Sequence, residues 1–237
     1  MRFSAVSFDC AETLVQTDWH PAEMALACAK QIGLVLDETH ASSLYTRLLQ
    51  TRWRDYCRIN VEAGTAGSRA WWKELTSDWL VQLGESTSYT EPLLLEADER
   101  LFGPNQTVFK LYEDTLPALQ EMKDRSWRML VVSNWDYSLP WVLDILGLSA
   151  FFEFAIPSLT VGVEKPDPKI FEIALSKLNL GAEEVVHVGD NPIDDVQGAI
   201  GAGLQAIHLD RAATEPRQNM VRSLSELPVL LSENYAG

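Results

Sequence analysis

Five short apolar runs punctuate the chain: Ala5 to Phe8, Met129 to Val132, Phe154 to Ile156, Val185 to Val188 and Gln205 to Leu209. They are rich in valine, isoleucine and phenylalanine and lack the strict alternation of a half-exposed strand. Each therefore predicts a strand covered on both faces, the setting of a parallel sheet. From Met129 onward, stretches of helical period separate the runs. Leu139, Val142, Leu143 and Leu146 form one apolar stripe, which Gly147 can close. Asp167 followed by Pro168 predicts an N-cap and first helical residue, and Asn191 followed by Pro192 repeats the signal. Strand, turn, helix, strand is the grammar of an α/β, Rossmann-like doubly wound parallel sheet.

The stretch from about Gln16 to Asn105 reads differently, with helical period and little strand signal. Pro21 opens a helix whose apolar face holds Met24, Ala27 and Cys28. Asp37 caps a second with Leu44, Tyr45, Leu48 and Leu49, and a third carries Trp71, Trp72, Leu75 and Trp79. Gly64 to Gly67 and Gly84 to Thr90 are expected breaks. The pattern predicts an all-helical cap domain over residues 16–105, inserted into a core built from residues 1–15 and 106–237. Tryptophans at helical spacing are expected to pack its interior. Trp19 and His20, at the entry to the insertion, are expected to meet substrate.

Composition narrows the function classes. The 237 residues carry a net charge of −15, which argues against a general nucleic-acid partner and an anionic membrane surface. A local cationic pocket can still bind a phosphorylated small molecule. Three cysteines (Cys10, Cys28 and Cys57) without a C-x-x-C pair predict neither a disulfide framework nor a zinc site and fit a cytoplasmic setting. The apolar start is interrupted by Asp9 too early for a signal peptide, and the run from Leu139 to Phe152 is broken by Asp144 and too short to span a bilayer.

Four fragments carry candidate chemistry: Asp9-Cys10-Ala11-Glu12-Thr13, Ser133-Asn134, Lys165 before Pro166, and Gly189-Asp190-Asn191-Pro192 running on to Asp194 and Asp195. Asp9, Ser133 and Asp190 fall at predicted strand ends, where ligands of such sheets bind. A carboxylate can act as a nucleophile toward phosphorus. Magnesium takes oxygen ligands, often one or two carboxylates with the phosphate, and Asp9 and Asp190 supply such a pair. Lys165 and Ser133 are a cation and a hydroxyl of the kind that holds phosphoryl oxygens. Cys10 and His187 read as buried core groups, since strand alternation turns Cys10 away from Asp9.

In this order and at these places the fragments resemble the haloacid dehalogenase superfamily, from Phe3 to about Leu231. The resemblance implies hydrolysis of a small phosphorylated molecule with Mg2+ through an aspartyl-phosphate. Asp9 is similar to the family's nucleophile, with Thr13 and Lys165 completing the catalytic set. Ser133, Asn134 and Lys165 resemble the phosphate-binding groups. The metal ligands implied are Asp9, the main-chain carbonyl of Ala11, Asp190 and Asp195. Asp194 also lies where the family places its second acid, though Asp195 fits the commoner spacing. An inserted cap at the first strand implies a lid over the pocket. The oligomeric state stays open between monomer and dimer.

One departure shapes the expectation. Family phosphatases usually carry an aspartate where Ala11 stands, and it protonates the leaving oxygen. Such help is typically worth roughly 10² to 10⁴ in rate, so the sequence predicts weakened acid–base catalysis, with Glu12 as the local substitute. Ala11 and Glu12 together are also loosely similar to the subgroup containing haloacid-dehalogenase-like hydrolase domain protein three. The alternatives are a non-catalytic binding or scaffold protein, a 2-haloacid dehalogenase, and a phosphonatase using Lys30 or Lys73 as a Schiff-base amine.

Overall fold

The computed structural model describes residues 3–215 and 217–235. Strand β1 (Ala5–Phe8) leads through a tight loop to β2 (Val15–Thr17). Three helices follow: α1 (Pro21–Gln31), α2 (Glu38–Gln82) and α3 (Thr90–Phe102). After β3 (Phe109–Leu111) come α4 (Thr115–Asp124), β4 (Arg128–Ser133), α5 (Leu139–Ile145), β5 (Ala155–Pro157), α6 (Ser158–Val161) and α7 (Pro168–Leu178). The chain ends with β6 (Val185–Gly189), α8 (Gly198–Gly201), β7 (Gln205–Leu209), β8 (Met220–Val221) and α9 (Leu227–Tyr235). The chain divides into two compact units, Met1–Thr17 with Lys110–Gly237, and Asp18–Phe109.

The first unit is built on a six-stranded parallel sheet of order β5-β4-β1-β6-β7-β8. All five predicted strands are present, and β8 joins them at the edge. β2 and β3 form a separate two-stranded sheet. These three extra strands have two or three residues each, too few to set up a readable period. Every residue of β1 and β6 is buried, which accounts for their largely apolar composition; the polar exceptions, Ser7 and His187, bond each other. On one side of the sheet, Leu130, Val132 and Ile156 pack with Ile170, Phe171 and Ala174 of α7 and with Ala199 of α8. Burial of one such side chain is worth about 1.5–3 kcal/mol.

The helix starts follow their sequence signals. Asp167 accepts from the Lys169 amide with Pro168 behind it, and Asn191 accepts from the amides of Ile193 and Asp194. Gly147 follows α5 at φ +72°, the left-handed turn that glycine permits without strain. Pro192–Gln197 is wound as a π-helix that runs on into α8.

The second unit is helical throughout. Asp37 caps α2 through the His40 amide. The predicted second and third helices meet within α2 at a kink, where Gly64 leaves helical geometry (φ 57°, ψ −149°) as the expected break requires. Trp71 and Trp79 are buried, and Trp79 Nε1 donates to the Ala41 carbonyl at 2.9 Å. Trp53 and Trp19 stay more than a third exposed. His20 is exposed and faces Asp18 at 3.3 Å. Among the described residues no helix is long and apolar enough to cross a membrane.

Candidate active site

Strand register sets up the site. Phe8 lies opposite Val131 on one side and Val188 on the other. Asp9, the next residue, is thus level with Val132 and Gly189, and Ser133 and Asp190 stand one step beyond. The topology reverses direction about β1, between β4 and β6, so these three residues gather at the crevice where a doubly wound sheet binds its ligands.

Lys165 closes the group from the loop before α7. The residue is 4% exposed, and its ammonium donates to Asp9 Oδ1 at 2.6 Å and Asp195 Oδ1 at 2.5 Å. Asn134 fixes the main chain that carries it: its Nδ2 donates to the Lys165 carbonyl at 2.9 Å, and its Oδ1 accepts from the Lys165 amide at 2.8 Å. The Asn134 side chain is therefore committed to placing Lys165. Ser133 Oγ is fully buried and, among the described residues, has no hydrogen bond of full geometry. It lies close enough to Asp9 to favour that carboxylate's charge.

One carboxylate oxygen from each of Asp9, Asp190 and Asp195 lies within 4.8 Å of the other two. Asp195 comes from the π-helix. Its Oδ2 accepts from the Asn191 amide at 2.9 Å, and its Oδ1 faces His187 Nε2 at 3.0 Å. The Asp194 carboxylate, one residue earlier, accepts from Asn191 Nδ2 at 3.3 Å instead. Gly189 makes room for this geometry, because a Cβ there would stand 2.1 Å from the Asp195 carboxyl carbon. Thr13 steers Asp190: its Oγ1 donates to Asp190 Oδ1 and accepts from the Asp190 amide, both at 3.1 Å.

The protonation states follow from burial and charge. Burial pushes the Asp9 carboxyl up, against the pull of Lys165. Burial, with Asp9 and Asp195 nearby, pushes Asp190 up to about 6. Burial also works against Asp195, but His187 and Lys165 outweigh it and hold that carboxyl well below the usual range. For Lys165, burial alone would lower the ammonium; the two carboxylates outweigh it and raise it. Burial lowers the His187 imidazole and leaves it neutral. Since a carboxylate only accepts, Nε2–H donates to Asp195, and Nδ1 accepts from Ser7 Oγ at 2.9 Å. Burial raises the Cys10 thiol well above its ordinary value, which leaves it inert.

Three carboxylates against one ammonium leave excess negative charge in a buried place. An all-oxygen donor set of this kind suits a hard divalent cation. These contacts correct the expectation of a hydrolase impaired at Ala11. The acidic set is intact, with Asp9, Asp190 and Asp195 all present and converging. Ala11 displaces none of them, because the third acid arrives from the π-helix rather than from the loop after β1. Glu12 is no replacement acid either. Its backbone is left-handed at φ +55°, its Oε1 accepts from the Thr17 amide and hydroxyl, and its Oε2 accepts from the Tyr112 hydroxyl. Lys30 and Lys73 belong to the helical unit, where Lys73 pairs with Glu91.

Comparison with known proteins agrees with this architecture. A model of haloacid dehalogenase-like hydrolases matches residues 3–203. The chain is 28% identical over 236 residues to haloacid dehalogenase-like hydrolase domain-containing protein 3 of Danio rerio, covering 97% of this chain and 96% of that one. It is 29% identical over 223 residues to the glyceraldehyde 3-phosphate phosphatase of Methanothermobacter thermautotrophicus, covering 92% and 90% of the two chains. A crystal structure of 2-haloacid dehalogenase from Pseudomonas syringae pv. Tomato superposes with a TM-score of 0.68 at 27% identity, covering 97% of this chain and 98% of that one.

Proposed function

Because this chain belongs to the haloacid dehalogenase-like hydrolases, we propose that it is a Mg2+-dependent phosphatase of a small phosphorylated metabolite, working through Asp9. The observation that carries this reading is the convergence of Asp9, Asp190 and Asp195 within 4.8 Å, with Lys165 bonded to two of them. A site for carbon–halogen cleavage needs the nucleophile but has no use for two further carboxylates. The likeness to a protein named for its phosphatase activity on glyceraldehyde 3-phosphate supports a small phosphate ester as the substrate class.

Asp9, Asp190, Asp195 and the Ala11 carbonyl would hold the cation, which when bound offsets charge on the transferring phosphoryl group. An Asp9 oxygen forms a bond to phosphorus as the ester P–O bond breaks, and the leaving oxygen keeps the electron pair and takes up a proton from solvent. Water then attacks phosphorus and returns a proton to solvent, the bond to Asp9 breaks with its electron pair kept by the carboxylate, and phosphate departs with Asp9 restored. Lys165 sets its ammonium against Asp9 and the phosphoryl oxygens. Ser133 Oγ, buried beside Asp9, would donate to one of them. Thr13 keeps Asp190 oriented, and Asn134 keeps Lys165 in place.

Asp9→Asn tests the reading, with hydrolysis of p-nitrophenyl phosphate and acetyl phosphate followed with and without Mg2+. Mg2+-dependent turnover by the native chain and its loss in the variant, by a factor on the order of 10³ or more, is the expected result. Turnover of 2-haloacids without metal, or undiminished phosphatase activity in Asp9→Asn, would overturn it.

A further inference from the structure

Arg211 lies two residues beyond β7, far in sequence from every group described above. Its Nη2 donates to the main-chain carbonyl of Thr13 at 2.9 Å. Both terminal nitrogens grip Asp114, at 2.8 and 3.1 Å, and the guanidinium carbon stacks 3.7 Å over the Tyr112 ring. Asp114 is itself held by Ser223 Oγ at 2.7 Å and the Leu224 amide at 2.9 Å.

We propose that Arg211 is a positioning residue of the acidic site, acting through Thr13 to aim Asp190. Thr13 occupies a loop that wraps back on itself, with the amides of Leu14 and Val15 both donating to the Cys10 carbonyl. Tyr112 anchors the loop through the Glu12 carboxylate, and two further groups hold its main chain next to Asp190. Thr115 Oγ1 holds the Leu14 carbonyl at 2.8 Å, and Arg211 holds the Thr13 carbonyl beside it. The hydroxyl of that same Thr13 makes both of its bonds to Asp190. A shift of the Thr13 main chain therefore becomes a shift of an acidic ligand. Arginine suits the task, since its rigid planar fork serves Asp114 and the carbonyl together while its face lies on Tyr112; a lysine ammonium offers no such plane.

The inference rests on the divalent-cation reading of the site, and the test separates the two. Mn2+ binding to the full chain is measured by calorimetry for the native protein, Arg211→Ala, Arg211→Lys and Arg125→Ala, with a melting temperature for each. Arg125 bonds Glu121, Ser232 and the Pro228 carbonyl in the same unit, none of them in the loop, so its loss reports ordinary destabilisation. Removing an outer partner of a metal ligand typically weakens binding about 10–100-fold. Thr13 is that direct partner and Arg211 acts one step further out, so about tenfold, the low end of the range, is expected for Arg211→Ala and about fivefold for Arg211→Lys, with Arg125→Ala unchanged. Arg211→Lys keeps the charge and carries the test if Arg211→Ala does not fold. Affinity within about twofold of native in whichever variant folds, despite normal native binding, overturns the positioning role alone. A native chain that binds no Mn2+ overturns the cation site and this inference with it.

Discussion

At the scale of single residues, the site is a contest between burial and charge. Asp190 shows it most directly, because its carboxyl is pushed up to about 6 by burial and by its two acidic neighbours. The native pKa exceeds that of the unfolded chain, so the native state holds this proton more tightly. The contribution of Asp190 to stability therefore falls as pH rises from about 4 toward about 6, and levels off above. A cation binding there must displace the proton at lower pH. Mn2+ affinity should rise with pH, by up to about tenfold per unit below pH 6, and flatten above it. Calorimetric titration over that range checks this, and an affinity indifferent to pH would remove Asp190 from the ligand set. Much of the site was legible from residue types: Asp9, Ser133 and Asp190 stood out as chemistry at strand ends, and Lys165 as a cation in a later loop. Arg211 did not, although a cation two residues past a parallel strand was the available signal. Its partners are the carbonyl of Thr13 and the carboxylate of Asp114, and no local pattern announces either.

At the scale of elements, the β6–π-helix turn does most of the positioning. Gly189 ends the strand, Asn191 caps the helix start, and the π winding brings Asp195 back under the strand end, where it meets Lys165 and His187. Gly189 is required by proximity, since an added Cβ would collide with the Asp195 side chain at 2.1–2.6 Å. Gly189→Ala should therefore cost about 1–3 kcal/mol in denaturant unfolding, the range for overpacking, and should weaken Mn2+ binding together with stability. Native stability in that variant would show that the turn can relax. Sequence placed a helix start at Asn191 and Pro192 but not its π winding, since a π turn differs from an α turn in hydrogen-bond register, which tertiary packing decides. The helix through Gly64 has the same cause: glycine signals a break, and packing decides whether the chain turns away or only kinks.

At the scale of the whole molecule, charge is the dominant global property. A net charge of −15 over 237 residues makes the native state repel itself, and the three converging carboxylates concentrate part of that repulsion. At 0.1 M, monovalent salt screens repulsion between exposed charges more than about 10 Å apart, and the close buried carboxylates much less. The melting temperature of the chelator-treated protein should therefore rise as NaCl is added through that range, and a fall or no change in differential scanning fluorimetry would contradict the argument. Fold class is the whole-molecule feature most fully written in the sequence, because largely apolar strands alternating with capped helices admit few layer arrangements. The helical insertion was legible for the same reason, its period of 3.6 standing against the short runs on either side.

What the chain alone determined was therefore its alphabet and local grammar: parallel strands, helix caps, a helical insertion, and reactive side chains at strand ends. Those follow from spacings of a few residues, which the backbone translates directly into faces and termini. Tertiary structure decided the rest. It selected Asp195 over Asp194, committed Asn134 to Lys165, tied Glu12 to the loop instead of leaving it as an acid, and joined Arg211 to Thr13. Each of those choices depends on groups remote in the chain arriving at one strand end, and the sheet register that brings them there is fixed by packing across the fold.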